Sequence, residues 1–193
     1  MSRDREPWIQ LSSGRPFFVL DPKPEDFDIA TIAHALARLC RFNGHVRAEW
    51  YSVAEHSVYV SLECDEAEAF EGLMHDAAEA FISDITRPVK PLLGGYKAIE
   101  ERIERAIAER FCLRYPWPAS VRRADNAVLR AEQRDLMPPT PLPDVGREIE
   151  TPMARAVVGY PPAIATQYFL RRFAQLSGET LVHPLPPLLR GLA

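Results

Sequence analysis

Apolar positions repeat at the helical period through most of the chain. Ile29, Ile32, Ala33, Leu36, Leu39 and Cys40 fall three and four apart, which predicts a first helix. Ser52-Val-Ala-Glu55 reads as a capping box, with Ser at the N-cap and Glu three residues on, opening a helix through about Glu63. Asp65 is positioned to cap a third helix that runs to about Ile82. Gly94-Gly95, followed by Ile99, Ile103, Ile107 and Phe111, marks a fourth, closed by Pro116 and Pro118. Residues 119–136 form a fifth, and Pro161 to Gly178 a sixth with Gly178 as its C′ residue. Strand periodicity is weak: Trp8-Ile-Gln-Leu11 and Phe17-Phe-Val-Leu20, joined through Ser-Ser-Gly-Arg, predict one N-terminal hairpin. The expectation is an all-α helical bundle with a small N-terminal β-hairpin. It is read as one domain over 1–193, with a core at about 26–137 and a proline-rich loop and C-terminal helix over 138–193.

Proline sharpens this picture. None of the 18 prolines lies between residues 25 and 87 or between 119 and 137, and ten lie at or beyond Pro138. Because proline breaks helix interiors, the proline-free blocks are where helices run long. The stretch 138–160 reads as an ordered, irregular surface loop. The tail HPLPPLLRGLA is too rich in proline for a helix and too apolar for a plain solvated end. The 193 residues are 47% apolar and 26% charged, as in an ordinary globular protein, and carry a net charge of −4. Without a basic surplus, a stable nucleic-acid partner is not expected. No apolar run spans a bilayer and the N-terminus has no apolar leader, so the expected setting is cytoplasmic, away from membranes. Cys40, Cys64 and Cys112 sit apart in apolar patterns and read as buried thiols.

The informative residues are ionisable groups inside apolar stripes, since burying them without partners is costly. Asp125 lies between Val121 and Val128-Leu129, and His56 between Val53 and Val60. His75 and Asp76 interrupt Leu73-Met74 and Ala77-Ala78, with Glu79 positioned on the same face. A lone Asp on such a stripe is also read as an ion-pair partner for an arginine such as Arg130, and a lone His as a hydrogen-bonded core residue. Four such groups on three helices suit one divalent ion such as Mn, Co, Fe or Zn, with positions left for water and substrate. Motifs of other catalytic schemes are absent.

The pattern His56…His75-Asp76…Asp125 resembles the signature of the HD-domain metal-dependent phosphohydrolases, specifically the 5′-deoxynucleotidases and the related phage dATP triphosphohydrolases. The blocks that carry it are RFNGH (41–45), YSVAEHSVYVS (51–61), LMHDAAEAFISDITRPVK (73–90) and VRRADNAVL (121–129). The resemblance implies an HD-type helical bundle and one divalent ion (Co, Mn, Zn, Fe or Mg) on His56, His75, Asp76 and Asp125. Glu79 then matches the carboxylate that orients or activates the attacking water, and Asp84 the carboxylate that handles the leaving-group proton. Lys90 and Arg122 match phosphate-binding positions, and Arg41 an arginine that reaches the nucleotide. Phe42 stands where relatives carry a tryptophan beside the base or sugar, and Gly44 where a bulky side chain narrows the base pocket. His34 reads as structural, while His45 has no assigned role.

The implied activity is metal-dependent hydrolysis of (deoxy)nucleoside phosphates, as a 5′-deoxynucleotidase or a dNTP triphosphohydrolase, with a nucleotide as substrate. Arg123 and Arg47, with the basic residues above, keep a triphosphate in play. The alternatives are a non-catalytic nucleotide sensor and a cyclic-nucleotide or (p)ppGpp hydrolase. The apolar tail and the sixth helix lead to the expectation of a homo-oligomer.

Overall fold

The computed structural model describes residues 7–140 and 151–178. Strands β1 (Trp8–Gln10) and β2 (Pro16–Phe18) form the expected antiparallel hairpin, pairing Trp8 with Phe18 and Ile9 with Phe17. Phe17 points inward and meets Phe27 and Phe81 edge-on or tilted, tying the hairpin to the helical core. Helix α1 (Ile29–Leu36) begins where the Asp28 carboxylate accepts from Thr31 N–H, and it buries Ile32, Ala33 and Leu36.

Helix α2 (Val53–Glu63) is the central element, with every residue from Val53 to Ser61 buried. It packs against α1, α3 (Ala69–Met74), α6 (Ala119–Leu136) and α7 (Pro162–Ser177). Polar groups on such a helix need partners: Ser57 donates to Val53 C=O and Ser61 to Ala69 C=O. Ser52 caps the helix as expected, accepting from Glu55 N–H. The reciprocal half of the capping box is replaced. Glu55 instead accepts from Gly159 and Tyr160 N–H, securing the loop after α6 against α2. Gly159 has φ +85°, and a Cβ there would stand 2.4 Å from Trp50 O, so glycine is required.

The third predicted helix is broken in two, α3 (Ala69–Met74) and α4 (Glu79–Ile82). Between them the backbone tightens to i−3 bonds, Ala77 N–H to Met74 C=O and Glu79 N–H to Asp76 C=O. Asp65 offers no side-chain cap. Ser83, at φ 70°, ends α4 and turns the following loop back across the site. Helices α5 (Tyr96–Phe111), α6 (Ala119–Leu136) and α7 (Pro162–Ser177) match expectation closely. Gly178 closes α7 in the left-handed region, as the C-cap residue.

Helix α7 buries Ala165, Tyr168, Phe169 and Phe173 in the chain's own core. The tail 183–193 and residues 141–150 of the predicted loop lie outside the described residues. The cysteine expectation needs correcting: Cys40 and Cys64 are half-buried and Cys112 is exposed, because Cys112 follows the last turn of α5 at φ 55°. Among the described residues, no helix is long and apolar enough to cross a membrane.

Candidate metal centre and its cavity

Helix α2 supplies His56, the break between α3 and α4 supplies His75 and Asp76, and α6 supplies Asp125. One ligand atom from each of His56, His75 and Asp125 lies within 4.8 Å of the others, so this group could hold a metal ion. Asp76 stands beside them, with Oδ2 3.5 Å from His56 Nε2 and Oδ1 3.2 Å from His75 Nε2.

Each imidazole is committed at Nδ1. His56 Nδ1 is 2.7 Å from Glu132 Oε1, and His75 Nδ1 is 2.9 Å from Gly72 C=O. Their Nε2 atoms are buried without a hydrogen-bond partner. Two imidazoles anchored through Nδ1, with bare Nε2 atoms beside carboxylates, form a donor set that fits a divalent cation.

The electrostatics agree with a cation-seeking site. Burial alone would raise the Asp76 carboxyl, but His75, His56 and Arg41 outweigh it and hold it well below the usual range. Asp125, likewise raised by burial, is drawn down to about 2 by His56 and His75. Burial and the Arg41 charge lower His56, yet Glu132 and Asp125 lift it to about 9. A divalent ion at Nε2 would take the place of that proton.

The group opens onto a cavity of about 710 Å³. Glu79 and Asp84 line it beside Asp76, and Glu79 Oε2 is buried with no partner. Burial, then the charges of Asp76 and Asp84, push the Glu79 carboxyl well up. Burial also raises Asp84, against the pull of Arg41. Lys90 donates to Glu100 at 2.8 Å and stands 3.5 Å from Glu79 Oε1, so it is a paired lysine at the cavity wall. Arg41 and Phe42 line the cavity too, at the start of a turn where Phe42, Asn43 and Gly44 have φ 53°, 51° and 79°. A left-handed phenylalanine costs about 1–2 kcal/mol, which marks this turn as held by its surroundings.

Two predicted binding residues stand apart. Gly44 is exposed, nothing approaches its Cβ position, and it is not in the cavity wall. Arg122 is exposed and also absent from the wall. Helical side chains lean toward the N-terminus, so Arg122, before Asp125, leans away from the centre. Arg130 and Arg134, beyond Asp125, lean back and line the cavity. Arg123 pairs with Asp65, Arg47 is exposed, and neither His34 nor His45 reaches the cavity.

Sequence reasoning missed Glu132, Tyr51 and Arg87. Arg87 donates to Asp125 Oδ2 at 2.7 Å and to Asn126 Oδ1 at 3.1 Å, taking the role foreseen for Arg130. Glu132 is fully buried between Val128 and Leu136 on α6, so the rule that singled out Asp125 would have found it.

No family model matches the chain. Over 129 residues, 67% of this chain and 72% of the relative, it is 41% identical to the uncharacterized protein YfdR of Escherichia coli. Over 141 residues, 65% of this chain and 72% of the relative, it is 38% identical to an uncharacterized protein of Rhodobacter capsulatus.

Proposed function

The chain belongs to the same family as Escherichia coli YfdR, and from its own site we propose that it is a metal-dependent phosphohydrolase acting on (deoxy)nucleoside phosphates. The observation that carries this reading is the pair of buried, partnerless Nε2 atoms of His56 and His75, facing Asp125 at the wall of a cavity that also holds Glu79. His56, His75 and Asp125 would hold the ion, with Asp76 as the fourth ligand. When bound, a divalent ion supplies Lewis acidity, lowering the pKa of water and neutralising phosphoryl charge.

The chain's own groups divide the remaining work. Lys90, Arg41 and Arg87 place positive charge along the wall and orient a phosphate. Hydrolysis forms a bond from a water oxygen to phosphorus and breaks the ester or anhydride P–O bond. Glu79 orients that water and accepts its proton, and Asp84 gives a proton to the departing oxygen. Carboxyls whose proton affinity is raised by burial suit such transfers near neutral pH. Leu129 and Gln133 continue from Asp125 along one stripe of α6, and Met137 follows just past its end, all lining the cavity away from the ion. At about 1.5 Å per residue the helical stripe runs on the order of 12 Å before Met137 extends it, room for a nucleoside.

Turnover of a panel of nucleoside mono-, di- and triphosphates, with and without Co²⁺ or Mn²⁺ and with products separated, tests the reading. Metal-dependent release of phosphate or oligophosphate is expected. Binding without turnover of any member would move the reading to a sensor.

A further inference from the structure

Glu132, two turns beyond Asp125 on α6, has a fully buried carboxylate that does not line the cavity. Its Oε1 accepts from His56 Nδ1 and from the Tyr51 hydroxyl, both at 2.7 Å. Its Oε2 accepts from the Arg41 guanidinium at 3.1 Å. A buried carboxylate is tolerated only with such a complete set of donors.

The two oxygens lead to different parts of the site. Through Oε1, Glu132 keeps the His56 proton on Nδ1 and turns Nε2 toward His75 and Asp125. Through Oε2, it fixes Arg41 at the cavity wall, where the guanidinium stands 3.8 Å from Asp76 Oδ2. We propose that Glu132 is a positioning residue that sets metal affinity through His56 and anion affinity through Arg41. The proposal rests on the metal reading above, though not on any hydrolytic activity.

Glu132→Gln preserves shape but cannot serve both partners. Its amide has one acceptor oxygen, so its NH₂ group must face either the imidazole N–H or the guanidinium, donor against donor. Tyr51→Phe is the structural control, because it removes a buried bond to the same carboxylate from a ring that does not line the cavity.

The test titrates the full chain with Co²⁺ alone, then the Co²⁺-loaded chain with inorganic phosphate, by calorimetry and visible absorption. Expected for Glu132→Gln are about 10–100-fold weaker Co²⁺ binding, an altered d–d spectrum and weaker phosphate binding, while Tyr51→Phe stays within about threefold of wild type for Co²⁺. A measurement that needs no variant is the ¹⁵N imidazole spectrum of the Zn²⁺-loaded wild type, which should place the His56 proton on Nδ1. Wild-type Co²⁺ affinity in folded Glu132→Gln, or a His56 proton on Nε2, would overturn the role of Glu132 and leave the metal centre standing. A wild-type chain that binds no Co²⁺ would overturn the metal reading and this one together.

Discussion

Asp125→Ala separates the metal centre from the fold. In the ion-free chain the change is mild. Asp125 shares its space with the Asp76 carboxylate, which stays beside His56 Nε2 when Asp125 is gone, and Arg87 is 55% exposed, so water replaces its lost bond. The same change takes one of the three groups that converge within 4.8 Å. For the wild type, an ion at a hundred times its dissociation constant adds about 2.7 kcal/mol to stability. In a chain of this size each kcal/mol moves Tm by about 2–4 °C, giving a rise of about 5–11 °C. If losing Asp125 weakens binding a hundredfold, the same ion concentration adds only about 0.4 kcal/mol, a rise under about 2 °C. Thermal melts of both chains, in EDTA and with added Co²⁺ or Mn²⁺, read the difference directly. The reasoning is refuted if Asp125→Ala gains as much Tm from the ion as the wild type does, or if its ion-free Tm collapses.

Glu79 is predicted to act on turnover and not on the ion. Glu79→Ala should keep Co²⁺ affinity while nucleotide turnover falls by about 10²–10⁴-fold, and a loss below about threefold would reduce Glu79 to a structural residue. Glu71 gives a pH prediction away from the site. Burial raises its carboxyl, but the hydrogen bonds and charge of Arg114 outweigh this and leave it below its ordinary value. Its contribution is therefore present above the unfolded value of about 4.3 and lost as pH falls through the folded one. Glu71→Gln should lower Tm at pH 7, and the deficit should shrink as pH falls below the unfolded value; a deficit that stays equal down the acid range would remove the ion-pair argument.

Local information fixed the helices. Apolar spacing, the absence of proline and the Ser52 cap are properties of a few neighbouring residues, and α2, α5, α6 and α7 lie where these placed them, while α1 starts as expected but stops at Leu36, short of Leu39 and Cys40. The same periodicity exposed His56, His75, Asp76 and Asp125, because a polar side chain on an apolar stripe is visible within two turns. Glu132 satisfied that test as well and was legible in principle. What the chain order could not carry was the pairing. His56 and Glu132 are 76 residues apart, Arg87 and Asp125 are 38, and Glu55 and Tyr160 are 105. Whether Arg87 or Arg130 meets Asp125 depends on how the loop after α4 crosses α6. The break at His75-Asp76 is equally tertiary, since helical spacing runs through it unbroken. Periodicity records which face of an element turns inward, while the choice of partner belongs to the packing of whole helices, where distance along the chain has no say.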